Sequence, residues 1–351
     1  MTCRLLMIVT LTGMFLASPA MAADSAESKD TRLILLGTQG GARVNADRAQ
    51  PSNVLIVNGT PYLIDAGNGV ARQLSLAHVP LLSIHQIFIT HNHDDHNADW
   101  GTLMGLAWTA GNTVPITVYG PRGTESMRRG FLQYFAPNAA AHHLEGAPNV
   151  LPAKVILAHD IAGAGLVYRD ANIRVTAVEN CHYHFSKGTA GYHWQQSFAF
   201  RFETPDRVVV FSGDTGPCGD VLADFAKGAD ILVHEVIDLG AIEKAMNTPV
   251  RGTDSSPERL AALMKHMRTE HSTPQEVARV ASKAGVRMLV LSHLVPGRLE
   301  YPESGYIDGV KDFYSGPVEV ARDLMEFSFD AGSQVRMRTV ASESDAPVQL
   351  H

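Results

Sequence analysis

Apolar runs rich in β-branched residues recur along the chain, separated by turns that contain Gly, Asn or Asp. Their length and composition predict the strands of a largely buried sheet system. The predicted strands span 33–37, 54–57, 62–64, 86–90, 116–119, 173–178, 198–202, 208–211, 231–233 and 288–292.

Helical patterns fall between these strands. Two of them, 257–268 and 274–284, start with Pro after Ser or Thr, which is typical of a helix N-terminus. The others span 69–78, 98–110, 124–135 and 220–227, and the segment 137–152 is predicted to be a loop. Strands and helices in both halves of the chain indicate one α/β or α+β domain, with helices outside a pair of packed sheets.

The first residues have the pattern of an export signal. Arg4 precedes an apolar run over 5–17, and small residues follow up to Ala23. This order is typical of a secretory signal peptide, and the apolar run is too short to serve as a membrane anchor. We therefore expect cleavage near Ala22 with removal of 1–22, a periplasmic or secreted protein, and one folded domain over 30–340.

Composition and charge narrow the classes of function. Hydrophobic residues make up 45% of the chain and charged residues 19%, which allows a sizeable buried core. The formal net charge of -7 is unfavourable for binding phosphates, so no nucleic-acid partner is expected. Cys181 and Cys218 lie after the export signal, and the sequence leaves open whether they form a disulfide or two buried thiols.

The segment from His91 to His96 carries the strongest chemical signal. An apolar predicted strand leads directly into this segment, which holds three His and two Asp. Neutral imidazole and carboxylate are natural ligands of a divalent metal such as zinc. In an extended chain His91 and His93 project to one side, whereas Asp95 and His96 lie beyond them at a turn. The pattern therefore predicts a site that can serve two metal ions.

Four later points along the chain supply complementary ligands. Each lies at the carboxyl end of a predicted strand. They are His182, Asp214, the pair His234 and Glu235, and His293. One such residue alone is more often structural, but together with the first segment they complete a ligand set for two metals.

These residues resemble those of the metallo-β-lactamase superfamily, and within it the branch that contains ribonuclease Z and the zinc-dependent arylsulfatases. The resemblance covers nearly the whole chain after the export signal. It is carried by the runs at 35–38, 62–67, 91–96 (HxHxDH), 213–215 (Gly-Asp-Thr) and 292–293. It implies an α+β fold, the αββα sandwich, in a single domain with two divalent metal ions, Zn²⁺ above all, at one edge.

The resemblance also implies a ligand for each position of a two-metal cage. The implied ligands are His91, His93 and His182 for the first ion, Asp95, His96 and His293 for the second, and Asp214 bridging both. His184 competes with His182, and we favour His182 because it is the first histidine after its strand. Asp65 either orients ligands or only forms the turn before Gly67.

A His-Ser-Thr run at 271–273 resembles the one that holds the supposed proton donor of ribonuclease Z. The likeness implies that His271 is a general acid. Glu235, with His234 in the partner motif, would orient it. Local sequence also allows an exposed His271 at a helix start, beside Ser272 as the N-cap.

The implied chemistry is hydrolysis of an ester. The resemblance implies that a hydroxide bridging the two metals, held in line by Asp95, would attack the substrate and that His271 would protonate the departing oxygen. A small sulfate ester or phosphodiester is the favoured substrate. The segment between His182 and Asp214 is too short for the tRNA-binding arm of ribonuclease Z, and the acidic charge and export signal also disfavour tRNA.

Other functions stay open as alternatives. The same kind of cage serves lactonases, β-lactamases and ribonuclease Z-like phosphodiesterases, and a metal-stabilised binding protein without turnover is the non-enzymatic alternative. A homodimer is possible because members of the superfamily often dimerise. The residues that either line the pocket or fill the core nearby are Met246, Met264, Met267, Tyr183, His184, His193 and Trp194.

Overall fold

The computed structural model describes residues 31–146, 150–192, 194–246, 254–329 and 335–340. The predicted export signal at 1–22, residue 30 and His193 lie outside the described residues. No helix within the described ranges is long and apolar enough to cross a membrane.

The described part of the chain forms short and medium-length strands throughout. They are β1 Arg32–Gly37, β2 Ser52–Val57, β3 Thr60–Ile64, β4 Gln86–Phe88, β5 Ile116–Gly120, β6 Ile156–Asp160, β7 Gly165–Arg169, β8 Arg174–Glu179, β9 Phe198–Glu203, β10 Val208–Phe211, β11 Ile231–Ile237, β12 Met288–Val295, β13 Val318–Val320, β14 Met325–Phe329 and β15 Val335–Thr339.

The helices connect these strands and cover them. They are α1 Val70–Leu76, α2 Asp94–Asn97, α3 Trp100–Thr109, α4 Thr124–Leu144, α5 Pro152–Val155, α6 Val221–Phe225, α7 Leu239–Met246, α8 Pro257–Glu270, α9 Pro274–Ala284 and α10 Ser304–Ile307.

The strands form two sheets. The first has the order β15-β14-β1-β2-β3-β4-β5-β6, and the second has the order β13-β12-β11-β10-β9-β8-β7. In the first sheet β3 to β6 are parallel neighbours, and in the second β10 to β13 are parallel neighbours. The carboxyl ends of parallel strands meet at one edge, which is where sites form in such sheets.

Along each central strand, successive buried side chains point to opposite faces of the sheet. In β1, Leu33 and Leu35 pack between the sheets with Phe200, whereas Ile34 and Leu36 pack on the side of α1 and α3. A third cluster joins α6 and α9 to the outer face of the second sheet. These layers confirm the predicted αββα sandwich.

Two strands extend further than the sequence predicted. β11 continues to Ile237 and β12 to Val295, so His234, Glu235 and His293 lie inside strands and not after them. The parallel ladder between β11 and β12 holds these residues in extended form. Pairing with a neighbouring strand sets the end of a strand, and local composition does not reveal that pairing.

The predicted loop at 137–152 is wrong over its first part. Helix α4 continues through Pro137 to Leu144. Proline in a helix interior costs about 3 kcal/mol. The following alanines favour helix, and α4 packs against β6 and α3, which offsets that cost. The prediction also missed β6, β7, β13, β14 and β15, which are short or lie in polar sequence.

Candidate metal centre

The loop that follows β4 delivers the first four predicted ligands. His91 and His93 precede α2, and Asp95 and His96 lie within it, because α2 begins at Asp94. The change from extended chain to helix turns the second pair away from the first. His91, Asp95 and His96 are each less than 5% exposed.

Ligands from the second sheet complete two overlapping groups. In each group one nitrogen or oxygen atom per residue lies within 4.8 Å of the corresponding atoms of the others. The groups are His91, His93, His182 and Asp214, and Asp95, His96, Asp214 and His293. The structure therefore brings together all seven predicted ligands, and Asp214 is the residue common to both groups.

Asp214 lies at the centre of this cage. Its Oδ1 atom is 3.2 Å from Nε2 of His96, and its Oδ2 atom is 3.1 Å from Nε2 of His293. Oδ2 also lies 3.7 Å from Nε2 of His91. One carboxylate thus faces histidines of both groups, as expected of a residue that bridges two ions.

Several of the atoms that face the centre are buried and form no hydrogen bond. Nε2 of His91, His96 and His293, together with Oδ1 of Asp214, has no hydrogen-bond partner. Leaving buried polar atoms unpaired costs about 1–3 kcal/mol each. Imidazole nitrogen and carboxylate oxygen are also the ligands that zinc prefers. The donor set therefore fits two divalent cations.

The electrostatics of the metal-free cage point the same way. Burial lowers the pKa of His182 to about 3, so its imidazole is neutral, the form that binds metals. Burial also disfavours a charge on His293, but Asp214 outweighs this effect and raises the pKa of His293 to about 10. A proton on His293 balances the carboxylates that a cation would otherwise neutralise.

Asp65 holds one histidine of the cage. Nδ1 of His96 donates a hydrogen bond of 2.8 Å to Oδ2 of Asp65, and the backbone N–H of Thr90 donates to Oδ1 at 2.8 Å. Asp65 has a φ of 58°, in the left-handed region that Asp adopts more readily than most residues. Asp65 therefore makes the contact expected of a residue that orients a ligand.

The structure decides between His182 and His184. His182 is fully buried, with Nε2 3.1 Å from Nδ1 of His93, and its Nδ1 atom donates to the backbone oxygen of Glu270 at 2.9 Å. His184 is exposed. Only His182 lies in the cage.

His271 and Glu235 form a buried pair beside the cage. Nδ1 of His271 donates to Oε2 of Glu235 at 2.8 Å, and the same nitrogen lies 4.0 Å from Oδ2 of Asp214. Burial, with the charge of Asp214, raises the pKa of Glu235, and burial lowers the pKa of His271 to about 4. A third group of possible metal ligands, Glu235, His271 and His293, overlaps the cage here.

The alternative of an exposed His271 is wrong. His271 is 5% exposed, and the N-cap of α9 is Thr273, which shares a capping box with Glu276. Ser272 instead donates from its hydroxyl to the backbone oxygen of Thr215 at 2.6 Å. The run at 271–273 is thereby tied to the loop that carries Asp214.

His234 lies apart from the His271 pair. Its Nδ1 atom donates to the backbone oxygen of Glu235 at 2.7 Å, and burial lowers its pKa to about 4. It lines a cavity of about 30 Å³ that also borders Asp214 and His293. His234 therefore lines the same cavity as Asp214 and His293, whereas the hydrogen bond to His271 comes from Glu235.

A disulfide joins two ligand-bearing loops. Cys181 and Cys218 are bonded, with Cα atoms 5.4 Å apart. Cys181 directly precedes His182, and Cys218 closely follows Asp214. A backbone hydrogen bond of 3.1 Å from Gly216 to Cys181 runs alongside the bridge. The sequence left open whether these two cysteines form a disulfide. They do, and the bridge holds the two loops together.

Sequence reasoning missed two glycines that approach the cage. The backbone N–H of Gly41 donates to Oδ2 of Asp95 at 2.8 Å. A Cβ atom on Gly40 would lie 2.5 Å from the ring of His293. The Gly-Gly pair after the Leu-Gly-Thr run was the available signal, since glycine often marks a close backbone approach.

Sequence reasoning also missed His266, which lies in α8. Nε2 of His266 is 3.3 Å from Nε2 of His271, and its Nδ1 atom donates to Oε2 of Glu270 at 2.9 Å. His and Glu four residues apart on a helix, just before the His-Ser-Thr run, were the available signal. Met264 and Met267, which the sequence allowed either as pocket or as core residues, are partly buried in the same helix.

Aromatic side chains border the cage on another side. The ring centroid of Tyr183 lies 5.4 Å from that of His93, and Tyr183 stacks on Phe185 with centroids 5.4 Å apart. Trp194 is 55% exposed, beneath the guanidinium of Arg122 at 4.7 Å. Tyr183 is thus the predicted pocket residue that contacts the cage.

Comparison with known proteins identifies the family of this chain. Residues 60–294 match the family described as Beta-lactamase superfamily domain. Ribonuclease Z of Mycobacterium bovis is 28% identical over 298 residues, covering 83% of this chain and 96% of that protein. Ribonuclease Z of Mycobacterium marinum is 29% identical over 300 residues, with the same two coverages of 83% and 96%.

Solved structures share the fold. A metallo-beta-lactamase fold protein from Bacillus subtilis superposes with a TM-score of 0.59 at 18% identity, covering 85% of this chain and 99% of that one. The short form of human tRNase Z gives a TM-score of 0.56 at 23% identity, covering 84% and 98%. Because the family match spans most of the sequence, this chain belongs to the beta-lactamase superfamily of metal-dependent hydrolases.

Proposed function

We propose that this protein is a two-metal phosphodiesterase. The observation that carries the proposal is the position of Asp214, shared by two ligand groups and 4.0 Å from the buried pair of His271 and Glu235. Such an arrangement offers places for two cations and a proton donor on one small surface. Both accelerate the hydrolysis of a phosphodiester.

The residues of the cage would divide as the sequence predicted. His91, His93 and His182 would hold one ion, Asp95, His96 and His293 the other, and Asp214 both. Two bound divalent ions, with zinc favoured by the ligands, lower the pKa of a water and neutralise charge on the ester oxygens. Asp65 keeps His96 in place, and the Gly41 N–H does the same for Asp95.

His271 is suited to protonate the departing oxygen. Its Nδ1 atom is held by Glu235, whose other oxygen accepts a hydrogen bond of 2.6 Å from the backbone of Thr215. This leaves Nε2 of His271 on the far side of the ring, where it can meet a substrate atom. A general acid of this kind typically contributes about 10²–10⁴-fold to the rate.

The relatives favour a phosphodiester over a sulfate ester. Both sequence relatives described above are ribonucleases Z, which supports the alternative that the sequence analysis ranked lower. They give the sulfate ester no support. They also weaken the expectation that nucleic acid is not a partner, so a nucleotide phosphodiester is the substrate class proposed here.

Export and assembly are separate proposals. The apolar run at 5–17 supports secretion to the periplasm or beyond, which fractionation of the producing cells would test. The disulfide between Cys181 and Cys218 is compatible with an oxidising compartment. A homodimer stays a prediction, to be tested by light scattering on the purified protein.

The decisive experiment compares ester classes on one zinc-loaded preparation. The panel contains bis(4-nitrophenyl) phosphate, 4-nitrophenyl sulfate, a lactone, a cephalosporin and an RNA with a 3′ extension. We expect turnover of the phosphodiesters, lost in Asp214→Ala and retained in the surface variant Asp47→Ala. Turnover of the sulfate, lactone or cephalosporin alone would refute the substrate class, and bound metal without any turnover would favour a binding protein.

A further inference from the structure

His266 and Glu270 form a polar pair at the rim of the candidate site. Nδ1 of His266 donates to Oε2 of Glu270 at 2.9 Å, and their side chains are 30% and 21% exposed. Both lie in α8, outside the seven-residue cage. The proposed mechanism gives them no role so far.

The pair continues into the buried one beside the cage. Nε2 of His266 lies 3.3 Å from Nε2 of His271, whose Nδ1 atom is bound to Glu235 at 2.8 Å. Four side chains therefore form one line, in the order Glu270, His266, His271 and Glu235. The line runs from the partly exposed rim to the cage, because Glu235 and His271 are buried.

The positions of the hydrogens limit how His266 and His271, in the middle of this line, can interact. Each histidine donates its Nδ1 hydrogen to a carboxylate, so each Nε2 atom is left with a lone pair. Two lone pairs would repel each other at 3.3 Å, whereas one hydrogen between them makes a hydrogen bond. The two Nε2 atoms therefore share one hydrogen, which either histidine can pass on to a third atom.

We propose that His266 and His271 together form the binding site for the leaving group, with the departing oxygen beside their two Nε2 atoms and within reach of the hydrogen that they share. This inference rests on the proposed phosphodiesterase function. The water oxygen bonds to phosphorus as the bond to the departing oxygen breaks. The departing oxygen keeps that electron pair and takes the shared hydrogen, and the proton released by the water restores it.

A proton donor of this kind matters for one class of ester and not for another. A 4-nitrophenolate is stable as an anion and leaves without a proton, whereas an alkoxide, such as a ribose hydroxyl without its proton, needs one. Loss of a proton-donating residue therefore slows only the second kind of ester, by about 10²-fold or more. A residue that merely supports the fold affects both kinds alike.

The test uses two esters with the same retained group on the zinc-loaded enzyme. One is the 4-nitrophenyl ester of thymidine 5′-phosphate, and the other is a dinucleotide in which the same phosphate is joined to a ribose 3′-hydroxyl. We expect His266→Gln, like His271→Gln, to lower kcat about 10²-fold or more on the dinucleotide and to leave kcat on the nitrophenyl ester nearly unchanged.

A matched control is available on another helix. His142 and Glu145 form a similar pair at 3.4 Å near the end of α4, which packs against β6 and α3. His142→Gln should leave both rates unchanged. As a readout apart from activity, the imidazole ¹⁵N spectrum of the zinc-loaded protein should show Nε2 of His271 shifting in His266→Gln, with metal content unchanged.

Other outcomes would overturn the inference. An equal loss on both esters would make His266 a structural residue, and unchanged rates with an unshifted His271 signal would remove it from the site. Either result leaves the phosphodiesterase proposal intact. A wild-type enzyme that hydrolyses neither ester would overturn both proposals.

Discussion

Nε2 of His293 lies 3.1 Å from Oδ2 of Asp214, although His293 sits inside β12 and not at its end. The ladder between β11 and β12 shifts register here, since Glu235 pairs with Ser292 and Val236 with Leu294. His293 is the extra residue, with a φ of 47°. A bulge of this kind re-aims a side chain, and here it turns the imidazole into the cage.

The space for the His293 ring depends on Gly40. A Cβ atom there would lie 2.5 Å from the ring, so Gly40→Ala must displace the imidazole. We expect weaker binding of one of the two metals and a matching loss of activity, measured by metal titration and kinetics. Gly130→Ala, where a Cβ atom meets open space within α4, should stabilise the fold by about 0.5–1 kcal/mol with normal metal binding.

Asp65 offers a test of ligand orientation. In Asp65→Ala, His96 and Thr90 lose their acceptor, and alanine at a φ of 58° is strained by about 1–2 kcal/mol. We expect metal affinity to fall about 10–100-fold. Asp65→Asn keeps an acceptor oxygen and tolerates this backbone conformation. The metal affinity of this variant should therefore lie between those of the wild type and Asp65→Ala. Equal affinity in all three proteins would exclude the orienting role.

The disulfide should stabilise both the fold and the cage. Replacing Cys181 and Cys218 by Ser is expected to cost about 2–4 kcal/mol of unfolding free energy. Because the bridge joins the loops of His182 and Asp214, metal affinity should fall as well. Denaturant unfolding measures the loss of stability, and metal titration measures the loss of affinity. A reductant should lower both quantities in the wild type but not in the double variant. Unchanged metal affinity in the double variant would mean that the disulfide stabilises the fold but not the metal site.

Removing the metals should lower thermal stability. The metal-free cage buries carboxylates beside histidines, and bound ions stabilise the folded state by about 4 kcal/mol at 1,000 times their dissociation constant. Chelation should therefore lower Tm by several degrees, and zinc should restore it. Asp214→Ala, which lacks the shared ligand, should respond less. An unchanged Tm on chelation of the wild type would argue against metal binding in the cage.

Metal uptake should also release protons. Although burial opposes it, Asp214 raises the pKa of His293 to about 10 in the metal-free protein, so a cation must displace a proton there. Affinity for zinc should then increase as the pH rises from 6 to 8. Titration in weak buffer with an indicator dye measures the protons released per ion. No release on saturation would contradict the assignment of His293 as a ligand.

The sequence alone determined much of the fold and the first half of the cage. The period of apolar residues predicted most strands and helices, because burial of one face imposes that period. His91, His93, Asp95 and His96 were recognisable since they are neighbours in the chain, where a strand gives way to a helix. The ends of predicted strands marked His182, Asp214 and His293 as further candidates, and the resemblance to a known family assigned them to the two ions.

Only the tertiary structure decided contacts between residues far apart in the chain. The disulfide, the choice of His182 over His184 and the bulge at His293 each depend on distances that neighbouring sequence does not encode. Strand ends in β11 and β12 were missed because a partner strand sets them. The spacing of His266 and Glu270 in the sequence indicates a pair on one helix face, but only the packing of α8 brings His266 within 3.3 Å of His271.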